Sequence, residues 1–299
     1  MSKFNKVVGS TPLIMINERV YGKLETYNPT GSVKDRVISY IVNEAISNNI
    51  INNKTILCEA TSGNTGIALS AIAASLGLKC KIFMPSNMSD ERKKMMKVFG
   101  SEIIESPPND FEHAINSRDQ FISKTENAWS PMQFSNPKNI ECHRKTTAPE
   151  ICKNACGISK NLSAFIHGSG TGGTIEGVRQ FFQNKDPVRC WGKCQYKSSE
   201  QSPKIIMVVP DEEIHGIQGI ADGKDFLAKS SDMDEVIRIT TQDAIDRAKL
   251  FAKETGILVG ISSGANILAS ERWVKKNDPD GIVITILCDR GERYMSIYN

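Results

Sequence analysis

From Thr55 onward the chain alternates short β-rich runs with helical ones: Thr55 to Glu59, Ile67 to Leu76, Lys79 to Met84, Ser89 to Phe99, Glu102 to Glu105 and Phe111 to Ser123. That order restricts the fold more than any other feature. Strands joined by helices pair in parallel, and a parallel sheet needs helices over both of its faces. The rhythm resumes with strands at Leu162 to His167 and Lys204 to Val209, and with a helix from Thr174. Helices at Gln242 to Glu254 and Gly264 to Lys275 follow, then a strand at Gly281 to Cys288. The turn-forming run Phe134-Ser135-Asn136-Pro137 separates the two halves. The chain of 299 residues is therefore expected to be α/β, with one domain over residues 1–137 and a second over 138–299. Each is expected to have three layers around a twisted, mostly parallel sheet.

The 37 basic and 34 acidic residues leave a net charge of +3, too balanced for nucleic acid or an anionic membrane to be the main partner. A small polar ligand fits better. No apolar run is long enough to span a bilayer, and Met1-Ser2-Lys3-Phe4-Asn5-Lys6 lacks the apolar core of a signal peptide, so a cytoplasmic location is expected. The eight cysteines are too dispersed for a disulfide framework, and reduced thiols are the expectation. Cys152/Cys156 and Cys190/Cys194 have a looser spacing than a structural zinc knuckle, and no metal is expected.

Three segments carry chemistry. Asn28-Pro29-Thr30-Gly31-Ser32-Val33-Lys34-Asp35-Arg36 is a turn that opens into a helix pattern over Val33 to Ser47, with Lys34 in the first turn. The positive end of the helix dipole and partial burial both favour the free amine, the form that attacks carbonyls. A surface lysine paired with Asp35 is the ordinary alternative. Thr61-Ser62-Gly63-Asn64-Thr65-Gly66 follows a strand and opens a helix, an arrangement that suits a carboxylate, although a well-capped turn reads the same way. Gly168-Ser169-Gly170-Thr171-Gly172-Gly173-Thr174 also lies between strand and helix and suits a phosphate. Gly168, Gly170 and Gly173 satisfy the dinucleotide fingerprint too, which keeps an NAD-linked oxidoreductase in view. The acidic residue that would hold a ribose is missing from Val188 to Lys193.

A carboxylate cradle, a phosphate cradle and a lysine suited to imine formation together describe a pyridoxal-phosphate site. The chain resembles the cysteine synthase family of tryptophan-synthase-β-like, fold-type II pyridoxal-phosphate enzymes, from Gly9-Ser10-Thr11-Pro12-Leu13 to Gly291-Glu292-Arg293-Tyr294. The matching motifs are Asn28 to Arg36, Glu59 to Ile67, Met84 to Arg92, Gln133 to Pro137, Gly170 to Thr174, Gly260 to Ala265 and Cys288 to Tyr294. The resemblance implies a site in a cleft between the domains, a homodimer, and about the first 30 residues crossing to the other domain. It implies that Lys34 carries pyridoxal 5′-phosphate, that Asn64 contacts its 3′ oxygen, and that Gly170, Thr171, Gly172, Gly173 and Thr174 hold its phosphate. Ser262 would lie on a neighbouring loop, and Cys288 would face the pyridine nitrogen. Thr61, Ser62, Thr65 and Gln133 would bind the carboxylate of an amino-acid substrate. A neutral thiol at that nitrogen favours β-substitution through an aminoacrylate over racemisation or transamination. A small core thiol at a strand end is the plain alternative for Cys288.

The nucleophile is read from the segment after Pro210. No arginine occurs between Arg189 and Arg238, and anchoring on Asp234-Glu235-Val236 puts Asp232 where the family carries an aliphatic residue. A carboxylate there would repel sulfide and could deprotonate water. The expectation is L-cysteine plus water giving L-serine and hydrogen sulfide, with Asp232 catalytic and Asp222 and Asp225 as weaker candidates. Synthesis of L-cysteine from O-acetylserine and sulfide is the alternative, and a catalytically silent amino-acid-binding protein is a third reading.

Overall fold

The computed structural model describes residues 3–61, 63–159, 161–183, 202–221 and 225–298. Ser62, Asp222, Cys190 and Cys194 lie outside the described residues. The chain divides into two compact units, one of Met1–Val8 and Asn28–Asn136, the other of Gly9–Tyr27 and Pro137–Asn299. In chain order the second unit supplies β1 (Leu13–Met15) and β2 (Val20–Leu24) first. The first unit follows with α1 (Lys34–Ser47), β3 (Ile56–Ala60), α2 (Asn64–Leu76), β4 (Lys79–Pro85), α3 (Asp90–Val98), β5 (Glu102–Ser106), α4 (Phe111–Lys124) and β6 (Ala128–Trp129). The second unit then continues with α5 (Lys138–Lys145), α6 (Thr147–Cys156), β7 (Leu162–Gly168), α7 (Gly173–Gln183), β8 (Lys204–Pro210), β9 (Glu235–Ile239), α8 (Thr241–Thr255), α9 (Ile261–Asn277), β10 (Ile282–Leu287) and α10 (Met295–Tyr298).

The first unit holds a four-stranded parallel sheet in the order β5-β4-β3-β6. Alternation along its strands splits the core in two, as a period of two requires. Leu57, Ile82 and Met84 pack with Ile38, Val42, Ile67, Leu69 and Ile72 of α1 and α2. Cys58, Ala60 and Phe83 face Ala114 of α4, with Phe111, Ile115 and Phe121 closing over them.

The second unit's sheet has six strands in the order β1-β2-β10-β7-β8-β9, parallel except for the β1/β2 edge pair. Its internal strands are largely buried on both faces, and β10 (Ile282–Leu287) is buried at every residue, the continuous apolar pattern of an internal parallel strand. In β8, Ile205, Met207 and Val209 face Ile151 of α6 and Ile175 and Phe181 of α7. Ile206 and Val208 face Ala248 and Phe251 of α8 and Ala265 and Trp273 of α9. Each unit is thus three layers deep.

Two helices begin earlier than their apolar periodicity. Helix α2 starts at Asn64 and α9 at Ile261, so Asn64, Thr65, Ser262 and Ser263 all sit in first turns. Helix α5 has almost no apolar signal, yet it buries Asn139, Cys142 and His143. Cys58, Cys80, Cys142, Cys156 and Cys288 are free thiols. Cys152 departs from the expectation of reduced thiols and is in a disulfide. Among the described residues no helix is long and apolar enough to cross a membrane.

Helices α8 and α9 meet at Gly264, where a Cβ would lie 2.0 Å from the Ala244 carbonyl oxygen and 2.9 Å from Ala248. Backbone cannot yield as a side chain would. The Gly264→Ala variant is expected to lose about 1–3 kcal/mol by overpacking, read as a lower midpoint in equilibrium denaturation.

Candidate active site

The candidate residues divide between the units. In the first, Lys34 opens α1 and is half-buried, its backbone N–H donating to the Ser32 hydroxyl at 3.3 Å. The preceding turn closes by a Gly31 N–H bond to the Asn28 carbonyl at 2.7 Å, with Gly31 at φ 82°, where a side chain would be strained. Asp35 ties that turn to the helix, because its carboxylate accepts the Thr30 N–H at 2.7 Å and also the Thr30 hydroxyl.

At the end of β3, Thr61 bonds through its N–H to the Phe83 carbonyl, and its hydroxyl accepts the Gly63 N–H at 3.2 Å. Asn64 and Thr65 follow in the first turn of α2, where N–H groups lack intrahelical acceptors. The Thr65 hydroxyl donates to Gln133 Oε1 at 2.6 Å, which orients the carboxamide with its NH₂ as the remaining donor end. Thr61, Thr65 and Gln133 are all buried. The structure therefore brings these three together, and the set presents donors to a carboxylate.

Sequence reasoning missed what holds this set. Glu59, fully buried, accepts N–H groups from Ala60 at 2.9 Å and Gln133 at 3.4 Å and pairs with Arg118 at 2.7 Å. Burial pushes its pKa up, and the Arg118 guanidinium opposes that shift. The same environment pushes the neighbouring Cys58 thiol up to about 12, chiefly through burial and then through Glu59. Met132, just before Gln133, sits at φ 53°, an uncommon value for a residue with a side chain. Arg92 of α3 lies over the loop, and a Cβ on Gly63 would be 2.6 Å from its Cδ. A buried cation beside this loop favours an anion there, and a single arginine in a polar helix gives no sequence signal of that.

In the second unit the loop after β7 leads straight into α7. A Cβ on Gly170 would lie 2.3 Å from the Gly219 oxygen, and one on Gly173 2.0 Å from Asn139 Oδ1. Gly172 combines φ 82° with a Cβ position 2.4 Å from the Ala228 nitrogen. These glycines are dictated by the chain packed around them as well as by any ligand. Asn139 donates to the Thr171 hydroxyl oxygen at 3.0 Å, and His143 bridges Thr174 at 3.1 Å and Thr147 at 2.8 Å. The segment after Gly219 runs along the loop, with the Ala221 N–H on the Ser169 carbonyl and the Leu227 N–H on that of Thr171. Ser262 stands 3.5 Å from the Cβ position of Gly219. Cys288, half-buried just past β10, donates its N–H to the Ser263 hydroxyl at 2.9 Å. Gly170 to Thr174, Ser262 and Cys288 are thus gathered at the carboxyl ends of β7 and β10.

This set fits a phosphate ester with a neutral heteroaromatic ring. The donors are hydroxyls and first-turn N–H groups, and Glu176, the one acid in the first turn of α7, is occupied by Arg179 at 2.7 Å and Gln180 at 2.7 Å.

Asp232 does not join it. This residue ends a short 3₁₀ turn, Ser230–Asp232, and is exposed. The following residues fix the turn in place, since Asp234 exchanges two bonds with Ile205 at the start of β8. The register pairs Gly168 with Val208, so this start lies three residues, roughly 10 Å, back along the sheet from the loop. Asp232 instead adds to the charges around Arg179, whose pKa is raised first by its bond to Glu176. Asp225 is also exposed and accepts the Ser230 N–H and hydroxyl.

The sequence matches the family described as pyridoxal-phosphate dependent enzyme over residues 5–289. The chain belongs to that family. It is 38% identical over 301 residues to cysteine synthase B of Campylobacter jejuni, covering 98% of this chain and 97% of the relative. It is 36% identical over 312 residues to a probable cysteine synthase of Bacillus subtilis, covering 97% and 94%. A solved structure of a hydrogen sulfide-producing enzyme from Fusobacterium nucleatum superposes with a TM-score of 0.87 at 30% identity, covering 99% of this chain and 100% of that one. The protein is a pyridoxal-phosphate enzyme of the cysteine synthase type, and the NAD-linked reading of the glycine loop is set aside.

Two substitutions separate the assignments within this site. Glu59→Gln leaves buried Arg118 paired only with the half-exposed Asp119, and it is expected to cost about 1–3 kcal/mol in equilibrium denaturation. Asp232→Asn is expected to change stability by less than about 0.5 kcal/mol and to leave turnover unchanged in a steady-state assay.

Proposed function

We propose that this enzyme makes L-cysteine by β-substitution, exchanging the acetoxy group of O-acetylserine for sulfide and releasing acetate. The observation that carries the reading is the Thr61, Thr65 and Gln133 cradle, built for an amino acid's carboxylate and seated on the same loop as Asn64. The likeness to cysteine synthases along nearly the whole chain supports the choice of reaction. The reading that uses water relies on Asp232, which ends an exposed 3₁₀ turn.

Bound pyridoxal phosphate supplies an electron sink that acidifies the substrate's α carbon and allows its β substituent to leave. Lys34 would hold the cofactor and would serve as the general base that takes the substrate's α proton. Thr171, Thr174 and the first turn of α7 hold the phosphate, Ser262 lies beside them, and Asn64 bonds the 3′ oxygen. Thr61, Ser62, Thr65 and Gln133 orient the substrate's carboxylate, which keeps the α proton aligned with Lys34. The Cys288 thiol gives the ring nitrogen a hydrogen bond without a negative charge, so loss of the β group outruns racemisation. Neutral groups around this loop do not repel an incoming sulfide anion. We take the working enzyme to be a homodimer, as the family resemblance implies, and to act in the cytoplasm.

A second reading keeps L-cysteine plus water giving L-serine and hydrogen sulfide. It is favoured by the likeness to the Fusobacterium nucleatum hydrogen sulfide-producing enzyme.

Product analysis decides between them. With O-acetylserine and sulfide the enzyme is expected to form L-cysteine and acetate much faster than it forms L-serine from L-cysteine alone, and the reverse ranking would overturn the assignment. Lys34→Ala is expected to lose the yellow colour of the purified protein and about 10²–10⁴-fold of turnover.

A further inference from the structure

One buried carboxamide ties the phosphate loop to the thiol at the far end of the proposed cofactor. Asn266, fully buried in α9, accepts the Gly168 N–H on Oδ1 at 2.8 Å. Its Nδ2 lies 2.9 Å from the Ile286 carbonyl oxygen, 3.1 Å from His167 Nδ1 and 3.5 Å from Cys288 Sγ. Gly168 is the last residue of β7, and Ile286 and Cys288 flank the end of β10, its neighbour in the sheet.

The donor and acceptor accounting has one solution. A backbone N–H only donates and a carbonyl only accepts, so Gly168 and Ile286 fix which end of the carboxamide is which. The NH₂ then has two hydrogens to share among the Ile286 oxygen, His167 Nδ1 and Cys288 Sγ. Cys288 Sγ receives a shared N–H from Asn266. Its own hydrogen is thereby turned away from Asn266, and its contact with the Ile286 carbonyl oxygen is long, at 3.7 Å.

We propose that Asn266 is a positioning residue that aims the Cys288 thiol hydrogen at the cofactor's pyridine nitrogen and spaces that thiol from the phosphate loop. The role rests on the pyridoxal-phosphate reading of this site and on no choice of nucleophile. Asn266 touches neither substrate nor cofactor. It acts through Gly168 at one end and Cys288 at the other, so its effect depends on Cys288.

A double-mutant cycle tests this, using apoprotein titrated with pyridoxal 5′-phosphate and followed by absorbance. Asn266→Ala is expected to weaken cofactor binding roughly 10-fold in the Cys288 protein, and by much less in a Cys288→Ala background, as coupled neighbours do. The infrared S–H band of Cys288, isolated by subtracting the Cys288→Ala spectrum, is expected to shift on cofactor binding in the parent and not in Asn266→Ala. Equal weakening in both backgrounds, or an unchanged band shift in Asn266→Ala, would overturn the proposal. Should the alanine variant not fold, Asn266→Asp, which keeps the shape and removes the donor, enters the same cycle. A parent protein that takes up no pyridoxal phosphate would instead sink the cofactor reading itself.

Discussion

Parallel pairing is the constraint on which everything else depends. In each sheet the strands that carry chemistry run the same way, so their carboxyl ends fall on one edge, and the chain leaves that edge through a loop into a helix N-terminus. Thr61 to Thr65 and Gly168 to Thr174 occupy this position in their respective units. The first-turn N–H groups of α2 and α7 make both loops places where an anion is welcome, whatever the side chains are.

Side chains then separate the loops by charge. The first unit buries a carboxylate and a guanidinium, Glu59 and Arg118, and uses the carboxylate to hold Gln133 against Thr65. Its desolvation is only partly offset by the arginine, so the pair makes better sense as a geometric device than as a source of stability. The second unit instead has Asn139, His143 and Asn266 bonded behind Thr171, Thr174 and Cys288.

Much of this is written in residue patterns. Alternating β-rich and helical runs disclose the parallel sheets, and turn residues between strand and helix disclose the loops. Helix starts were less legible, because Asn64, Thr65, Ser262 and Ser263 are polar and do not count toward an apolar face. Helix α5 was invisible for the same reason: Asn139 and His143 are buried by hydrogen bonds to the loop. The position of Asp232 is not legible in a short alignment, which carries no register, whereas the bonds between Asp234 and Ile205 set where that turn sits on the sheet.

The sequence by itself determined the fold class, the cofactor class and the loops able to bind anions, since these follow from periodicity and from glycine and hydroxyl residues at fixed offsets. Only the tertiary structure decided which side chains stand behind those loops and which acid stays out in solvent. Glu59, Arg118, Asn139, His143 and Asn266 reach their partners from elements distant in the chain, and burial gives those contacts their strength. No local spacing records them.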